Sequence, residues 1–191
     1  KQKILLLATA PHPDISAIKS AIESNYNYEV TEALVNEFPG QIESYNLIVM
    51  QQVPSGGSQA SSYLAKAREA KIPLLIVLGS RTNLIEFNNL NAGLKISTGQ
   101  KSYNEVLPVY NPDFTLFTLS ESTVNAFENF PPLLTPFGEF DVLNSASTLF
   151  YQQIGSLETG YPLVLFNRTL NDKTGVISGE GIWKWRLQDY R

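Results

Sequence analysis

The chain has 191 residues, 43% of them hydrophobic and 11% aromatic, which is enough to bury a full core and too apolar for a disordered chain. A net charge of −4 offers no basic stripe to displace counterions from a phosphate backbone, so no nucleic acid partner is expected. The absence of cysteine excludes disulfides, thiolate metal sites and a cysteine nucleophile together.

Charged residues make up only 17%, against roughly 25% in an average domain. That predicts either a surface built from Asn, Gln, Ser and Thr or one partly covered by neighbouring domains. No apolar run approaches the ~20 residues that span a bilayer, so no direct membrane insertion is expected. The sequence opens at Lys1 and stops at Arg191 within an unfinished element, which reads as one domain over 1–191 excised from a longer protein.

Lys3–Thr9 (KILLLAT) is predicted as a buried strand, followed by a turn at Pro11-His12-Pro13. Asp14 is placed to cap a helix whose Ile15, Ile18 and Ile22 share one face. Tyr28–Leu34 alternates as a half-buried edge strand does, and Asn46–Val53 (NLIVMQQV) is a further strand. It ends at Pro54-Ser55-Gly56-Gly57-Ser58, before a helix over about 59–70 that turns Tyr63, Leu64 and Ala67 inward. Ile72–Ser80 (IPLLIVLGS) is apolar on both faces, the mark of a strand in the middle of a covered parallel sheet. A helix over 83–90 follows, with Leu84, Phe87 and Leu90 inward and Gly93 as its terminator.

The pattern then changes. Lys95–Ile96, Glu105–Val109 and Phe114–Leu119 (FTLFTL) are short β-type runs, and 123–128 is a short helical candidate. Pro131, Pro132 and Pro136 argue against regular structure over 130–138. Tyr161–Asn167 and Thr174–Ser178 read as two strands joined by Asn171-Asp172-Lys173. The fold class predicted is α/β: a three-layer, flavodoxin-like, mostly parallel doubly wound sheet built from 1–94 and 161–191. A β-rich elaboration over 95–155 is inserted after the fourth strand.

In such sheets the loops at the carboxyl ends of the strands form the ligand crevice. They carry His12 and Asp14, then Gln51, Gln52, Ser55, Gly56 and Gly57, then Ser80 and Arg81. Gly56-Gly57 before a helix can offer backbone N–H groups to a small anion or nucleotide, or serve only as a turn that needs φ > 0. Ser80 after an apolar strand has the setting of a nucleophile elbow, but Gly-x-Ser-x-Gly is absent and a turn or cap role accounts for it equally. His12 is the sole histidine, so a serine hydrolase here would have to pair Ser80 with His12, oriented by Asp14. One histidine and scattered carboxylates suit neither zinc nor a tuned redox metal, and no metal or cofactor is expected.

Phe130, Leu133, Leu134, Phe137 and Phe140 crowd five large apolar side chains into eleven residues. They must complete the core or remain partly exposed as a protein-contact face. Trp183 and Trp185, interleaved with Lys184 and Arg186, either anchor the chain end or join that face.

KILLLATAPHPD, YNLIVMQQVPSGG, IPLLIVLGS, PLVLFN and TGVISGEGIWKWRL, in this order, resemble the class I glutamine amidotransferase-like fold. The last of them is similar to the Gly-(Leu/Ile)-Trp-(Arg/Lys)-Trp-Arg ending of such domains in large bacterial membrane-anchored proteins. The resemblance covers 3–90 and 161–187 and implies a nucleophilic Cys after the fourth strand, with a His and an acidic partner after the last. Here those positions read Leu78-Gly79-Ser80 and Gly179-Glu180-Gly181, with no Cys anywhere and no His beyond position 12. Glutamine hydrolysis needs a thiolate activated by imidazole, so the activity does not carry over. The resemblance therefore implies a non-catalytic module for assembly or ligand binding inside an envelope-associated parent. Its partners would be the parent's other domains or another protein, and Glu180 joins the ligand-binding candidates. The hydrolase reading and the small-anion or nucleotide sensor at Gly56-Gly57 stand as alternatives.

Overall fold

Eleven strands and five helices make up the described residues, 1–189, of a computed structural model. In chain order the first half is β1 (Gln2–Ala8), α1 (Pro13–Glu23), β2 (Tyr28–Leu34), β3 (Leu47–Gln51), α2 (Ser58–Glu69), β4 (Leu74–Val77) and α3 (Leu84–Asn89). There follow β5 (Leu94–Ser97), β6 (Tyr103–Tyr110), α4 (Glu121–Phe127), β7 (Leu133–Pro136) and β8 (Glu139–Val142). The chain closes with β9 (Ala146–Ile154), β10 (Leu157–Arg168), β11 (Lys173–Ile177) and α5 (Ile182–Asp189).

Nine strands form one sheet in the order β2-β1-β3-β4-β11-β10-β9-β6-β7, and β5 pairs with β8 in a separate ribbon. The run from β2 to β11 is parallel. From β11 onward every pairing is antiparallel. The sheet is thus mixed, and the segment anticipated as an elaboration continues the sheet itself through β9, β6 and β7. Side chains of β1, β3 and β4 that point one way bury against Tyr63, Leu64 and Ala67 of α2 and Phe87 of α3. Those pointing the other way meet Ile15 and Ile18 of α1, with Ile182 of α5 alongside. A third apolar cluster joins Val106, Leu133, Phe150 and Leu163 to Trp185. The three-layer arrangement follows from these two-sided strands, since each face needs its own helical cover.

Several local expectations are corrected. Phe114–Leu119 is not a strand; its rings instead form an edge-on cluster, with Phe114 and Phe117 at 4.9 Å and Phe117 and Phe166 at 5.4 Å between centroids. The stretch 130–138 is not irregular throughout, because Leu133–Pro136 is a strand. Pro136 closes β7, an outermost strand of the sheet, where a missing N–H costs no ladder bond on the open side. Asn91 at φ 50 follows the last turn of α3 directly, and Gly93 at φ 95 turns the chain two residues further on. β9, a long strand at the heart of the antiparallel half, had no counterpart in the sequence reading. Among the described residues no helix is long and apolar enough to cross a membrane.

Candidate functional site

The carboxyl ends of β1, β3, β4 and β11 bring four loops together, and one carboxylate ties three of them. Glu180, just past β11, has backbone bonds to Leu134 of β7 in both directions, N to O at 3.0 Å and O from N at 2.9 Å. That bridge fixes its side chain over the β4–α3 turn. Its Oε2 accepts from Gln52 Nε2 at 2.7 Å, from the Ser80 backbone N–H at 3.0 Å and from Ser80 Oγ at 3.3 Å. Gln52 is held in turn: it sits at φ 55, its Oε1 accepts from Arg81 N at 2.9 Å, and its carbonyl accepts from Thr9 Oγ1 at 2.7 Å.

Gly79 makes this crossing possible. A Cβ there would lie 2.3 Å from Glu180 Oε2 and 2.6 Å from Gln52 Cδ, closer than any side chain tolerates. The residue type is therefore dictated by the carboxylate and amide that pass over it. Thr82 secures the same turn by accepting from Gly79 N at 3.0 Å.

Asp14 does not cap its own helix. His12 does, with Nδ1 accepting from Asp14 N at 3.2 Å and Pro13 in the first turn. Asp14 is fully buried and reaches across to the start of α5, where its two oxygens accept from Gly181 N at 2.8 Å and Trp183 N at 2.9 Å. It is a capping residue for the far end of the chain. Gln51 is buried beside it, its amide nitrogen 3.5 Å from Asp14 Oδ2.

Ser80 and His12, the candidate hydrolytic pair, share no hydrogen bond among the described residues. Each faces Glu180 Oε2 instead, Ser80 Oγ at 3.3 Å and His12 Nε2 at 3.9 Å. His12 Nδ1 is turned to its own helix, 3.2 Å from Asp14 N and 3.6 Å from Asp14 Oδ2, and Nε2 is turned to Glu180.

Outside this knot a cleft of about 580 Å³ opens between the β4–α3 turn and the start of β6. Ser80, Arg81, Thr82, Asn83, Gln100 and Lys101 line it, and Tyr103 forms part of the wall with its hydroxyl donating to Ser80 O at 3.3 Å. Burial, and secondarily the negative charge of Glu180, raise the Tyr103 pKa above its ordinary value. Sequence reasoning missed Tyr103, whose approach to Ser80 depends on a distant strand pairing. Ser55, Gly56 and Gly57 lie across Thr9 in a separate hollow of about 320 Å³. Gly56 at φ 88 and Gly57 at φ 136 use the backbone freedom of glycine to enter α2. Among the described residues no group of three or more His, Asp or Glu side chains is arranged to hold a metal ion.

The anticipated contact residues divide by burial. Leu133, Phe140 and Trp185 are in the core, and Trp185 Nε1 donates to Pro131 O at 2.7 Å, so these three are not a contact face. Phe130 packs on Trp185 at a tilt of 37° with ring centroids 5.5 Å apart, and Leu134 is half-buried in β7 beside Glu180. Only Phe137 and Trp183 of the seven are exposed, at 47% and 37%.

No protein family matches this sequence, and no curated protein matches it. Solved structures do match in fold. A putative ThuA-like protein from Bacteroides uniformis aligns at 14% identity and TM-score 0.52 over 100% of this chain and 90% of its own. The carbohydrate deacetylase Agd3 aligns at 11% identity and TM-score 0.56 over 98% of this chain and 32% of its own. A GH42 β-galactosidase from G. stearothermophilus aligns at 9% and 0.56 over 100% of this chain and 29% of its own. This chain thus spans about a third of the deacetylase and galactosidase chains and most of the ThuA-like one. At these identities the likeness is one of fold, and an α/β architecture is what it supports.

Proposed function

We propose that this chain is a glutamine amidotransferase-like, flavodoxin-like module without catalysis, which binds a small polar ligand at its carboxyl edge and works inside a larger, envelope-associated protein. The observation that carries the reading is the Glu180 carboxylate folded onto Gly79 and Ser80. In the family the sequence resembles, a nucleophile stands after this strand with its reacting atom free. Here the corresponding hydroxyl donates to a carboxylate whose Oε2 is already engaged by Gln52 and by the Ser80 backbone. The hydrolase alternative pairs Ser80 with His12, and no hydrogen bond joins the two among the described residues; the acceptor facing Ser80 Oγ is Glu180 Oε2.

Hydroxyl and amide side chains, with Arg81 and Lys101, line the cleft beside this knot and suit a hydroxyl-bearing ligand that takes many directed hydrogen bonds. The structural neighbours named for carbohydrate chemistry fit the same ligand class, and their fold too occupies about a third of a longer chain. Phe137 and Trp183 are the side chains left for contacts with neighbouring domains. The test has two arms. Generic esters and glutamine should show no turnover that Ser80→Ala abolishes. In a thermal-shift panel of mono- and disaccharides, a hit should disappear in Arg81→Ala and Tyr103→Phe. Turnover sensitive to Ser80→Ala would refute the non-catalytic reading, and a panel without hits would refute the ligand.

A further inference from the structure

The cleft beside the Glu180 knot has a charge pattern that the chain as a whole does not. The chain carries 18 acidic and 14 basic residues, for a net charge of −4, yet no Asp or Glu is among the residues that line this cleft. Arg81 and Lys101 both line it, one from the β4–α3 turn and one from the segment that leads into β6. Both are exposed, and neither has an ion-pair partner among the described residues.

The acidic residues nearest along the chain are placed elsewhere. Glu86 of α3 lines a separate hollow against α2, and its Oε1 accepts from Asn83 Nδ2 at 3.0 Å. Glu105 stands opposite Leu134 further along β6, and Glu139 stands opposite Ser97 in the β5–β8 ribbon. Glu180 is the carboxylate whose charge is felt in the cleft, where it adds to burial in raising the Tyr103 pKa. Its Oε2 already accepts from Gln52 Nε2, Ser80 N and Ser80 Oγ. With Glu180 counted, the cleft and its border hold two cations against one carboxylate that is already engaged by three donors.

Both walls are built rather than loose. Arg81 N donates to Gln52 Oε1 at 2.9 Å, which pins the root of the guanidinium. On the other wall Thr98 Oγ1 donates to Gln100 O at 2.6 Å and Ser102 N to the same carbonyl at 3.1 Å, folding the turn that carries Lys101. The Tyr103 hydroxyl, donating to Ser80 O at 3.3 Å, ties one wall to the other. Like charges held unpaired in a concave site focus a positive potential there and concentrate small anions. Charges more than about 8 Å away are largely screened at physiological salt, so the local pair governs the cleft rather than the net charge of the chain.

We infer that the cleft selects a saccharide bearing an anionic group, a carboxylate or a phosphate, which Arg81 and Lys101 neutralise while the hydroxyl and amide side chains of the walls take the sugar hydroxyls. A guanidinium matches the oxygens of either anion two at a time, and an ammonium adds a point charge. This rests on the reading of the cleft as a polar-ligand site and adds the charge that the ligand must carry.

Chemical-shift titration of the full chain with glucose, glucuronate, glucose 6-phosphate and glucosamine tests it. Glucuronate or glucose 6-phosphate should bind about tenfold tighter than glucose, the tighter of the two identifying the anion, and glucosamine should bind most weakly. That advantage should shrink as salt is raised. Lys101→Gln, at an exposed position, should lower affinity for the anionic sugar about threefold and leave glucose affinity and melting temperature unchanged. Arg81→Lys should keep part of the preference that Arg81→Ala loses. Equal affinity for glucose and both anionic sugars, or an unchanged preference in Lys101→Gln, would overturn the inference and leave the polar-ligand reading standing. Inorganic phosphate binding as tightly as glucose 6-phosphate would make this a bare anion site and overturn the saccharide class. Binding of none of the four sugars would overturn the inference and that reading together.

Discussion

Replacing Asp14 with alanine should be among the most damaging single changes available to this chain. The carboxylate is fully buried and accepts two backbone N–H bonds, from Gly181 at 2.8 Å and Trp183 at 2.9 Å. Hydrogen bonds to a charged group contribute about 1.5–3 kcal/mol each, and an orphaned buried N–H costs about 1–3 kcal/mol. The Gly181 N–H is buried and would lose its acceptor. Allowing for partial relaxation, Asp14→Ala should cost about 3–5 kcal/mol, while Asp14→Asn, which keeps one acceptor oxygen and the volume, should cost about 1–2 kcal/mol. For a chain of this length 1 kcal/mol moves the melting temperature by roughly 2–4 °C, so the alanine variant should melt about 6–20 °C lower. Urea denaturation followed by tryptophan fluorescence reads the change directly, since Trp183 and Trp185 ride on the helix that Asp14 caps. An alanine variant within about 0.5 kcal/mol of wild type, the range of an ordinary surface change, would refute the capping argument.

The remaining expectations concern the Glu180 knot. Gly79→Ala places a Cβ 2.3 Å from Glu180 Oε2 and 2.6 Å from Gln52 Cδ, and should cost about 1–3 kcal/mol through overpacking. In a Glu180→Ala background the cost should shrink, and equal costs in the two backgrounds would show that the contact is not real. Tyr103 should ionise above 10.0, from burial first and Glu180 second, as read by ultraviolet titration against Tyr103→Phe. Glu180→Gln should bring it part of the way down. The folded state holds this proton more tightly than the unfolded chain, so its stabilising effect is complete below 10.0 and is lost as pH rises through the raised folded value. A Tyr103 that titrates at or below the ordinary value would contradict the placement.

The parallel half of the sheet was legible because each strand declares itself locally. KILLLAT, NLIVMQQV and IPLLIVLGS are uninterrupted apolar runs, and they form β1, β3 and β4, hydrogen-bonded in that order. β9 was missed because ASTLFYQQI mixes polar and apolar residues. Its buried Gln152 reads as a surface residue until Thr135, Pro162 and Ser178 surround it with hydrogen bonds. The prolines of 130–138 misled for a different reason. Proline excludes an interior strand, but β7 is an edge, and whether a strand is an edge depends on the whole sheet. At the site, loop position was readable but pairing was not. Asp14 was assigned to the nearest helix because capping is usually local, whereas its partners Gly181 and Trp183 lie 167 and 169 residues away.

The same long-range pairing governs the polar groups gathered at the candidate site. Ser80, His12, Asp14 and Glu180 all gather at one sheet edge, where Asp14 and Glu180 hold distant chain segments together and His12 caps its own helix. Asp14 joins the β1–α1 junction to α5, and Glu180 joins β11 to the turns after β3 and β4. A nucleophile needs a free lone-pair direction and a base whose proton acceptor points at it. Here Ser80 Oγ donates to Glu180 Oε2, an acceptor shared with Gln52 Nε2 and the Ser80 N–H, and no hydrogen bond joins Ser80 to His12 among the described residues. Freeing Ser80 Oγ would break a contact with a residue 100 positions further along the chain. Removing Glu180 would leave Gln52 Nε2 and the Ser80 N–H without their acceptor and would not supply a base. The knot is held by donors from two loops, and the hydroxyl-lined cleft lies directly beside it.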